Sequence, residues 1–230
     1  MRYLIIPLLI FGFCLAPMPA QVGAATQDDI ARINSATAVL NEIMAIPDNS
    51  LPESLLKDAH GIAVFPSMIK AAFGIGAQYG RGVFVARTED GNWSPPSLLT
   101  LAGGSAGLQI GAGATDLILV FMTKNSVDAL GRGDLTLGAN ASIAAGPVGR
   151  WAQASTDIQL RAEIYSYSKS RGIFAGVALD GTLVTVDTAA NLALYGSPDP
   201  LKSAASIPEA ASRFSCVVSK YTGSPGLVCA

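Results

Sequence analysis

The sequence is short of the residue types from which most catalytic and metal sites are built. Among its 230 residues are one histidine, three cysteines and 14% charged residues. A serine-histidine-aspartate triad would have to use His60, and there is no second histidine to complete a metal site. His60 stands before Gly61 at a predicted helix end, where a capping or surface role is expected. The composition therefore favours a binding protein over an enzyme, and it predicts no cofactor and no metal.

Basic charge is also scarce. The 15 Lys and Arg residues are outnumbered by 17 Asp and Glu residues, so the net charge is −2, or −3 once a leader carrying Arg2 is removed. A protein of this balance has no overall positive field to draw it to nucleic acid or to an anionic membrane. Nucleic acid is therefore not an expected partner, and any contact with phosphate must come from locally grouped side chains.

The first 25 residues have the pattern of a cleavable secretory signal. Arg2 is followed by an apolar stretch from Leu4 to Leu15, which is too short to span a bilayer unaided. Small residues at Gly23 and Ala25 fit the spacing of a signal-peptidase site, so cleavage is expected near Ala25. The sequence thus predicts an exported bacterial protein that is periplasmic or associated with the outer envelope.

Two other interpretations of the leader remain open. Cys14 would be the lipidated residue of a lipoprotein signal, although bulky Phe13 stands where a small residue is expected. A retained membrane anchor would need a continuous helix, which Pro7, Pro17 and Pro19 disfavour.

Cleavage near residue 25 would leave two cysteines, Cys216 and Cys229, in an oxidising compartment where disulfides persist. A Cys216–Cys229 disulfide that fixes the end of the chain is our hypothesis. The alternative is that both remain thiols.

Residues 26–46 have the periodicity of an amphipathic helix, because apolar side chains recur at three- and four-residue intervals. These positions are Ile30, Ile33, Leu40, Ile43 and Met44. Ser50 and Glu53 have the spacing of a capping box with Pro52 inside the first turn. They predict a second, short helix through residue 59 that ends at Gly61.

Between residues 61 and 183 the pattern changes to short apolar runs and period-two alternation, which predict β-strands. The runs occupy residues 62–65, 83–85 and 117–122, and the clearest alternation covers residues 158–165. Asp90-Gly91 and Asp180-Gly181 are dipeptides that supply the positive φ angles of tight hairpin turns. Short helices are expected at residues 125–130 and 188–194, ended by Gly131 and Gly196.

The last part of the chain, residues 197–230, is expected to be a helical extension. Ser206 and Glu209 repeat the capping-box spacing and open a helix with Ala210, Phe214, Val217, Val218 and Tyr221 on one face. The predicted fold class is α+β: a Gly-rich antiparallel β-sheet or sandwich core flanked by N-terminal and C-terminal helices.

The glycines permit two interpretations. Gly-rich segments at residues 74–82 and 103–107 superficially resemble phosphate-binding loops, but no Lys-Ser/Thr pair follows and no capped helix begins after the last glycine. Even spacing instead puts a lane without side chains on one face of a strand, where another chain segment packs closely. One such lane consists of Gly74, Gly76, Gly80 and Gly82, and a second of Gly107, Gly111 and Gly113.

Several basic residues flank the Gly-rich and turn segments, and they would clamp a phosphate headgroup if they converged at one end of the sheet. They are Lys70, Arg81, Arg87, Arg150, Lys169 and Arg171. The alternative is that they are scattered, solvated surface charges.

Six segments, in order, resemble the SYLF (Ysc84-type) lipid-binding domain. They are GIAVFP at 61–66, GRGV at 80–83, WSPPS at 93–97, GSAGLQIG at 104–111, AAGPVGR at 144–150 and YSYSKSRGIFAG at 165–176. The resemblance runs from about residue 52 to residue 196. It identifies residues 26–196 as a SYLF-like domain that includes the first helix.

The resemblance implies a non-enzymatic module that binds membrane lipid, phosphoinositides in eukaryotic relatives, with actin filaments as a further ligand of some members. In those relatives an amphipathic helix before the core assists membrane insertion, and its counterpart here is residues 26–46. This segment has Asp28, Asp29 and Glu42 against Arg32 alone, whereas a helix recruited to anionic lipid usually has a Lys/Arg-rich polar face. An exported chain would also not meet cytoplasmic actin.

The expected function is therefore non-enzymatic phospholipid binding in the bacterial cell envelope. The expected headgroup ligands are Lys70, Arg81, Arg150, Lys169 and Arg171, and the expected insertion face is that of Ile30, Ile33, Leu40, Ile43 and Met44. The alternative is a structural or protein-interaction module of the envelope that has no lipid ligand.

Overall fold

A computed structural model of the chain describes residues 22–46, 51–133, 135–147, 162–170, 173–176, 179–202 and 204–224. The helices within these ranges are α1 (Val22–Met44), α2 (Glu53–Asp58), α3 (Lys124–Arg132), α4 (Thr188–Tyr195) and α5 (Glu209–Thr222). The strands are β1 (Gly61–Ala86), β2 (Ser97–Phe121), β3 (Leu135–Thr136), β4 (Ile143–Ala145), β5 (Ile164–Ser170), β6 (Ile173–Gly176) and β7 (Leu183–Val186). The predicted α+β class is confirmed.

Two long strands dominate the sheet. β1 and β2 pair antiparallel from Gly61 opposite Phe121 to Phe84 opposite Ser97, and the chain reverses between them at Asp90-Gly91. Gly91 has φ +82° there, as the predicted hairpin turn requires. The apolar runs at 62–65 and 83–85 are therefore two ends of one strand, since the Gly- and Ala-rich sequence between them continues the pairing.

The ribbon formed by β1 and β2 curls until the two ends of β1 meet. The backbone N–H of Arg87 donates to the carbonyl oxygen of His60 at 2.8 Å. Register shifts after Phe65 and Phe73 bend the ribbon, as β-bulges do. A Cβ atom on Gly82 would lie 2.4 Å from the Phe65 ring, so the glycine lets two distant parts of one strand pack together. The predicted packing role is thereby confirmed for Gly82.

The shorter strands extend the sheet from the edge of β2 that β1 does not occupy, near the two ends of β2. β5 pairs antiparallel with β2 at Asp116–Phe121, and β7 pairs antiparallel with β2 at Leu99–Ala102. β3 continues beyond β7, β6 pairs antiparallel with β5, and β4 lies parallel to β5. The remaining positions of β2, 103–115, have β1 as their only partner among the described strands.

Alternation along the strands divides the core into two parts, one on each face of the sheet. On the outer face, Ile62, Val64, Val83, Val85 and Val120 pack with buried side chains of α1, α2, α4 and α5. On the inner face, Phe65, Phe84, Leu99, Leu119 and Phe121 fill the curl together with α3. The side chains of α5 that were predicted to share a face are buried or half-buried in the outer core.

Several predicted helix ends are wrong by a few residues. Pro52 and Pro208 occupy the N-cap positions of α2 and α5, and neither helix has a side-chain cap, so the capping boxes proposed from Ser50 and Ser206 are not the start signals. Proline suits such a boundary because its fixed φ is compatible with a helix start. α3 ends at Gly133 (φ +83°) and runs through Gly131, whereas α4 ends at Gly196 as predicted.

Two further predictions fall wholly or partly outside the described residues. The alternating segment 158–165 is described only from residue 162, and β5 begins at Ile164. α1 begins at Val22, upstream of the predicted start at residue 26. Residues 1–21 of the predicted leader lie outside the described residues, whereas its predicted cleavage site near Ala25 falls within α1.

Candidate functional site

Charged side chains join the first half of α1 to the sheet and to α4. A carboxylate oxygen of Asp29 lies 2.8 Å from an Arg81 nitrogen of β1 and 2.9 Å from an Arg32 nitrogen. The same Arg32 nitrogen lies 3.3 Å from Asp187, which caps α4 by accepting from the N–H of Ala190. Three elements thus meet in one ion network.

The network is buried on the α1 side and open on the sheet side. Asp29 is 1% exposed and Arg32 7% exposed, whereas the Arg81 side chain is 42% exposed. Burial raises the pKa of Asp29 above its usual range, and the opposing effect of Arg81 is smaller. Arg81 is therefore the cation of this network that an external anion reaches.

A second polar contact holds the other end of α1. Lys169 of β5 forms a salt bridge with Glu42, and its side chain is largely buried, whereas that of Glu42 is exposed. The hydroxyl of Tyr221 on α5 donates to the side-chain oxygen of Asn41 at 2.8 Å. The acidic residues of α1 therefore neutralise cations of the sheet.

The predicted headgroup ligands do not converge on a single point. Arg81 and Lys169 contact α1 at Asp29 and Glu42, which are 13 residues apart and so separated by about 20 Å along the helix. Lys70 lies elsewhere on β1, forms no ion pair within the described part of the chain, and has a pKa lowered by burial. Arg150 and Arg171 lie outside the described residues, and Arg87 is used structurally, donating to carbonyl oxygens of Leu56, Lys57 and Ala59.

The predicted insertion face of α1 is the face that packs on the sheet in this structure, so its entry into a membrane would require α1 to leave the sheet. Ile33, Leu40 and Ile43 are 0 to 1% exposed, and Ile30 and Met44 pack half-buried against the same outer core. The helix is amphipathic, as predicted, because one side of it covers the sheet.

A different apolar surface is left open where β1 and β2 extend beyond the other strands. We call this segment, β1 residues 69–79 with β2 residues 102–114, the distal ribbon. Ile69 is 58% exposed and Tyr79 is 51% exposed, the largest exposures among the bulky apolar side chains of the sheet that the structure describes. Tyr79 precedes Arg81 by two positions, so both lie on the outer face.

The segment GGSAG at 103–107 has the spacing of a catalytic serine elbow, but its geometry is different. An elbow needs a sharp strand-to-helix turn, whereas these residues continue β2 in register with β1 around Gly76. His60 is exposed at the far end of the ribbon, beside Phe121. Over the described residues there is also no group of His, Cys, Asp and Glu side chains that would hold a metal.

Of the two cysteines of the predicted disulfide, the structure describes only Cys216. Cys216 on α5 is buried and disulfide-bonded, and its partner lies outside the described residues, as Cys229 does. The Cys216–Cys229 pairing therefore stays a prediction.

Comparison with known proteins gives one consistent family. The sequence model of Ysc84, described as a Las17-binding protein actin regulator, matches residues 102–221. The chain belongs to the Ysc84, or SYLF, family. It is 36% identical over 183 residues to LAS seventeen-binding protein 3 of Saccharomyces cerevisiae, covering 78% of this chain and 39% of the yeast protein. It is 38% identical over 150 residues to human SH3 domain-containing YSC84-like protein 1, covering 65% of this chain and 44% of the human protein.

This chain spans less than half of the length of each of these two relatives. The names of these two relatives refer to a binding partner or to a domain, and neither is named as an enzyme. Within the described ranges, no helix has both the length and the hydropathy that a membrane span requires.

Sequence reasoning missed Ile69 and Tyr79, although a signal for them was present. In this member of the Ysc84 family, Lys70 is the only charged residue within 69–79 and 102–114. Ribbon segments with open surfaces usually include more charge than this, since exposed Lys and Glu discourage association between strands. The scarcity of charge marks the distal ribbon as an apolar surface.

Proposed function

We propose that the protein is a non-enzymatic phospholipid-binding protein of the bacterial cell envelope, exported to the periplasm or to the outer envelope. The observation that carries the proposal is the placement of Arg81 and Lys169 on one face of the sheet, near opposite ends of α1. Two cations about 20 Å apart suit separate headgroups on a surface better than one lipid in a pocket. Family membership and the leader sequence support the proposal.

A phosphate headgroup would compete with the acidic residues of α1 for Arg81 and Lys169. Arg81 has exposed donors that remain available to a phosphate while one nitrogen holds Asp29, because a guanidinium offers five N–H groups. Lys169 has three donors and is already bound to Glu42. We therefore expect Arg81 to contribute more than Lys169, and binding to weaken as salt screens these charges.

Vesicle flotation tests the proposal directly. The chain is mixed with phosphatidylcholine vesicles that contain or lack phosphatidylglycerol, at low and at high salt. We expect binding to rise with the anionic lipid, to fall with salt, and to weaken in Arg81→Gln. Arg213→Gln is the matched control, because Arg213 is also an exposed arginine in an ion pair, with Glu209 on α5. Failure of the unmodified chain to bind any vesicle at low salt would refute the proposal.

The second candidate function is a protein-interaction module of the envelope without a lipid ligand. The name of the yeast relative, a LAS seventeen-binding protein, favours a protein partner for that relative. Actin is not a proposed partner here, because export would separate this chain from cytoplasmic filaments. Native mass spectrometry separates the two candidates: bound lipid supports the first, and a stable protein assembly free of lipid supports the second.

A further inference from the structure

The outer face of the distal ribbon is apolar at every position whose side chain is described. Register and alternation place eight such described positions on it, four from each strand. They are Ile69, Ala71, Ala77, Tyr79, Ala102, Gly104, Ala112 and Ala114, all of them exposed. None is charged or carries an amide or carboxyl group.

The two bulky side chains described on this surface, Ile69 and Tyr79, are both more than half exposed. Alanine and glycine occupy its other described positions.

One cation beside the surface suits an anionic bilayer. Arg81 lies two positions beyond Tyr79 and so on the same face, whereas Lys70 follows Ile69 directly and lies on the opposite face. The long side chain of Arg81 can keep its charge at the headgroups while its stem lies against acyl chains. Tyrosine is itself favoured at this boundary, because its ring is apolar and its hydroxyl is polar. The nearby carboxylate, Asp116, accepts the backbone N–H of Ser67 at 2.8 Å.

The backbone limits how deep such a contact goes. Positions 103–115 of β2 pair on one side with β1, and no other described strand covers their second edge. Unpaired N–H and C=O groups are not tolerated in the hydrocarbon core of a bilayer. We therefore place the contact at the interface, at a depth of about 5 to 10 Å, where water and headgroups can satisfy edge groups that the described strands leave unpaired.

We propose that the outer face of the distal ribbon, and not α1, is the surface with which this protein lies on an anionic phospholipid bilayer. The inference rests on the proposed function and gives it a location. Ile69 and Tyr79 enter the boundary between headgroups and acyl chains, Arg81 contacts a phosphate, and α1 stays packed on the sheet.

The test introduces a negative charge at an exposed apolar position. Ile69→Glu and Tyr79→Glu are compared with Leu192→Glu, a control on α4 where Leu192 is 55% exposed. Affinity for vesicles of phosphatidylcholine with phosphatidylglycerol is measured by flotation on the full chain. The apolar leader is common to all variants, so only differences between variants are interpreted.

We expect each ribbon variant to lose about tenfold or more in affinity, because it exchanges apolar burial for a charge that the anionic surface repels. The control is expected to bind like the unmodified chain. Ribbon variants that bind unchanged would overturn this inference and leave phospholipid binding intact. An equal loss in the control would also overturn it, since the effect would not be specific to the ribbon. An unmodified chain that binds no vesicle would overturn both proposals.

A second measurement reports on the surface without adding charge. In Tyr79→Trp the new indole is expected to shift its fluorescence to shorter wavelength when the same vesicles are added, and to be quenched by lipids brominated near the top of the acyl chain. Leu192→Trp is the control and is expected to respond to neither. A Tyr79→Trp chain that binds vesicles while its indole stays in water would contradict the inference.

Discussion

α1 and the distal ribbon each have an apolar face, but the protein covers the face of α1 and leaves that of the distal ribbon exposed. On α1, Ile33 and Ile43 are fully buried against the sheet. On the distal ribbon, Ile69 and Tyr79 are more than half exposed. The comparison shows that an amphipathic pattern identifies an apolar face but does not say whether the protein itself covers it.

The polar sides of the two regions differ in the same way. The acidic residues of α1 make it a poor ligand for anionic lipid, but they pair with Arg81 and Lys169 of the sheet. The distal ribbon has no acidic residue within 69–79 and 102–114. The acidic residues of α1 therefore pair with cations of the sheet, whereas the distal ribbon has no acidic residue to repel an anionic surface.

Breaking the buried ion network should give the largest effect. Asp29→Ala leaves Arg32 buried with Asp187 as its remaining carboxylate, and removing one partner of a buried pair costs about 3 to 5 kcal/mol of unfolding free energy. Urea unfolding of Asp29→Ala and of the unmodified chain measures this loss. Glu209→Ala, which breaks the exposed pair with Arg213, is the control and should cost no more than about 0.5 kcal/mol. Similar losses in both would mean that α1 is only loosely held.

Truncating one isoleucine in each region sharpens the comparison. Ile43→Ala removes a fully buried side chain and should cost about 2 to 4 kcal/mol. Ile69→Ala removes an exposed one and should change stability by less than about 0.5 kcal/mol. Denaturant unfolding of the two variants is the measurement, and an Ile43→Ala variant as stable as Ile69→Ala would restore α1 as a free insertion helix.

The buried carboxyl of α1 predicts a modest pH dependence. Because burial raises the pKa of Asp29 in the folded protein, its contribution to stability is greatest below its usual value of 3.8 and is lost as pH rises through the raised pKa. The charged and titratable groups around it are Asp28, Arg32, Arg81, Asp187 and Tyr195. Urea unfolding across pH 3 to 7 should show this loss in the unmodified chain relative to Asp29→Asn. An unfolding free energy of the unmodified chain that rose with pH relative to that of Asp29→Asn would contradict this prediction.

A small effect on stability, together with a loss of vesicle affinity, is expected at the border between the two regions. Arg81→Gln removes a side chain that is 42% exposed, so solvent screening should limit the loss to about 1 kcal/mol or less. Affinity for anionic vesicles should fall about fivefold, the usual contribution of one cation near such a surface. Flotation beside the Arg213→Gln control measures it, and an unchanged affinity would remove Arg81 from the contact.

The sequence carried enough information for the class and for local elements, and less for their assembly. Periodicity located α1 and α5, and Asp-Gly located the hairpin turn, because these signals are local. The single long β1 was not recognised, since Gly and Ala between its two ends are weak strand formers. The pairing of Arg81 with Asp29 joins residues 52 positions apart, and nothing local to either residue indicates it.

Hydrogen exchange read by mass spectrometry, with and without phosphatidylcholine–phosphatidylglycerol vesicles, compares the two regions in one experiment. Vesicles should slow amide exchange in peptides covering residues 69–79 and 102–114, while peptides of α1 keep their exchange rates. Faster exchange in α1 together with an unchanged distal ribbon would contradict the account, because α1 would then be the element that leaves the sheet for the membrane.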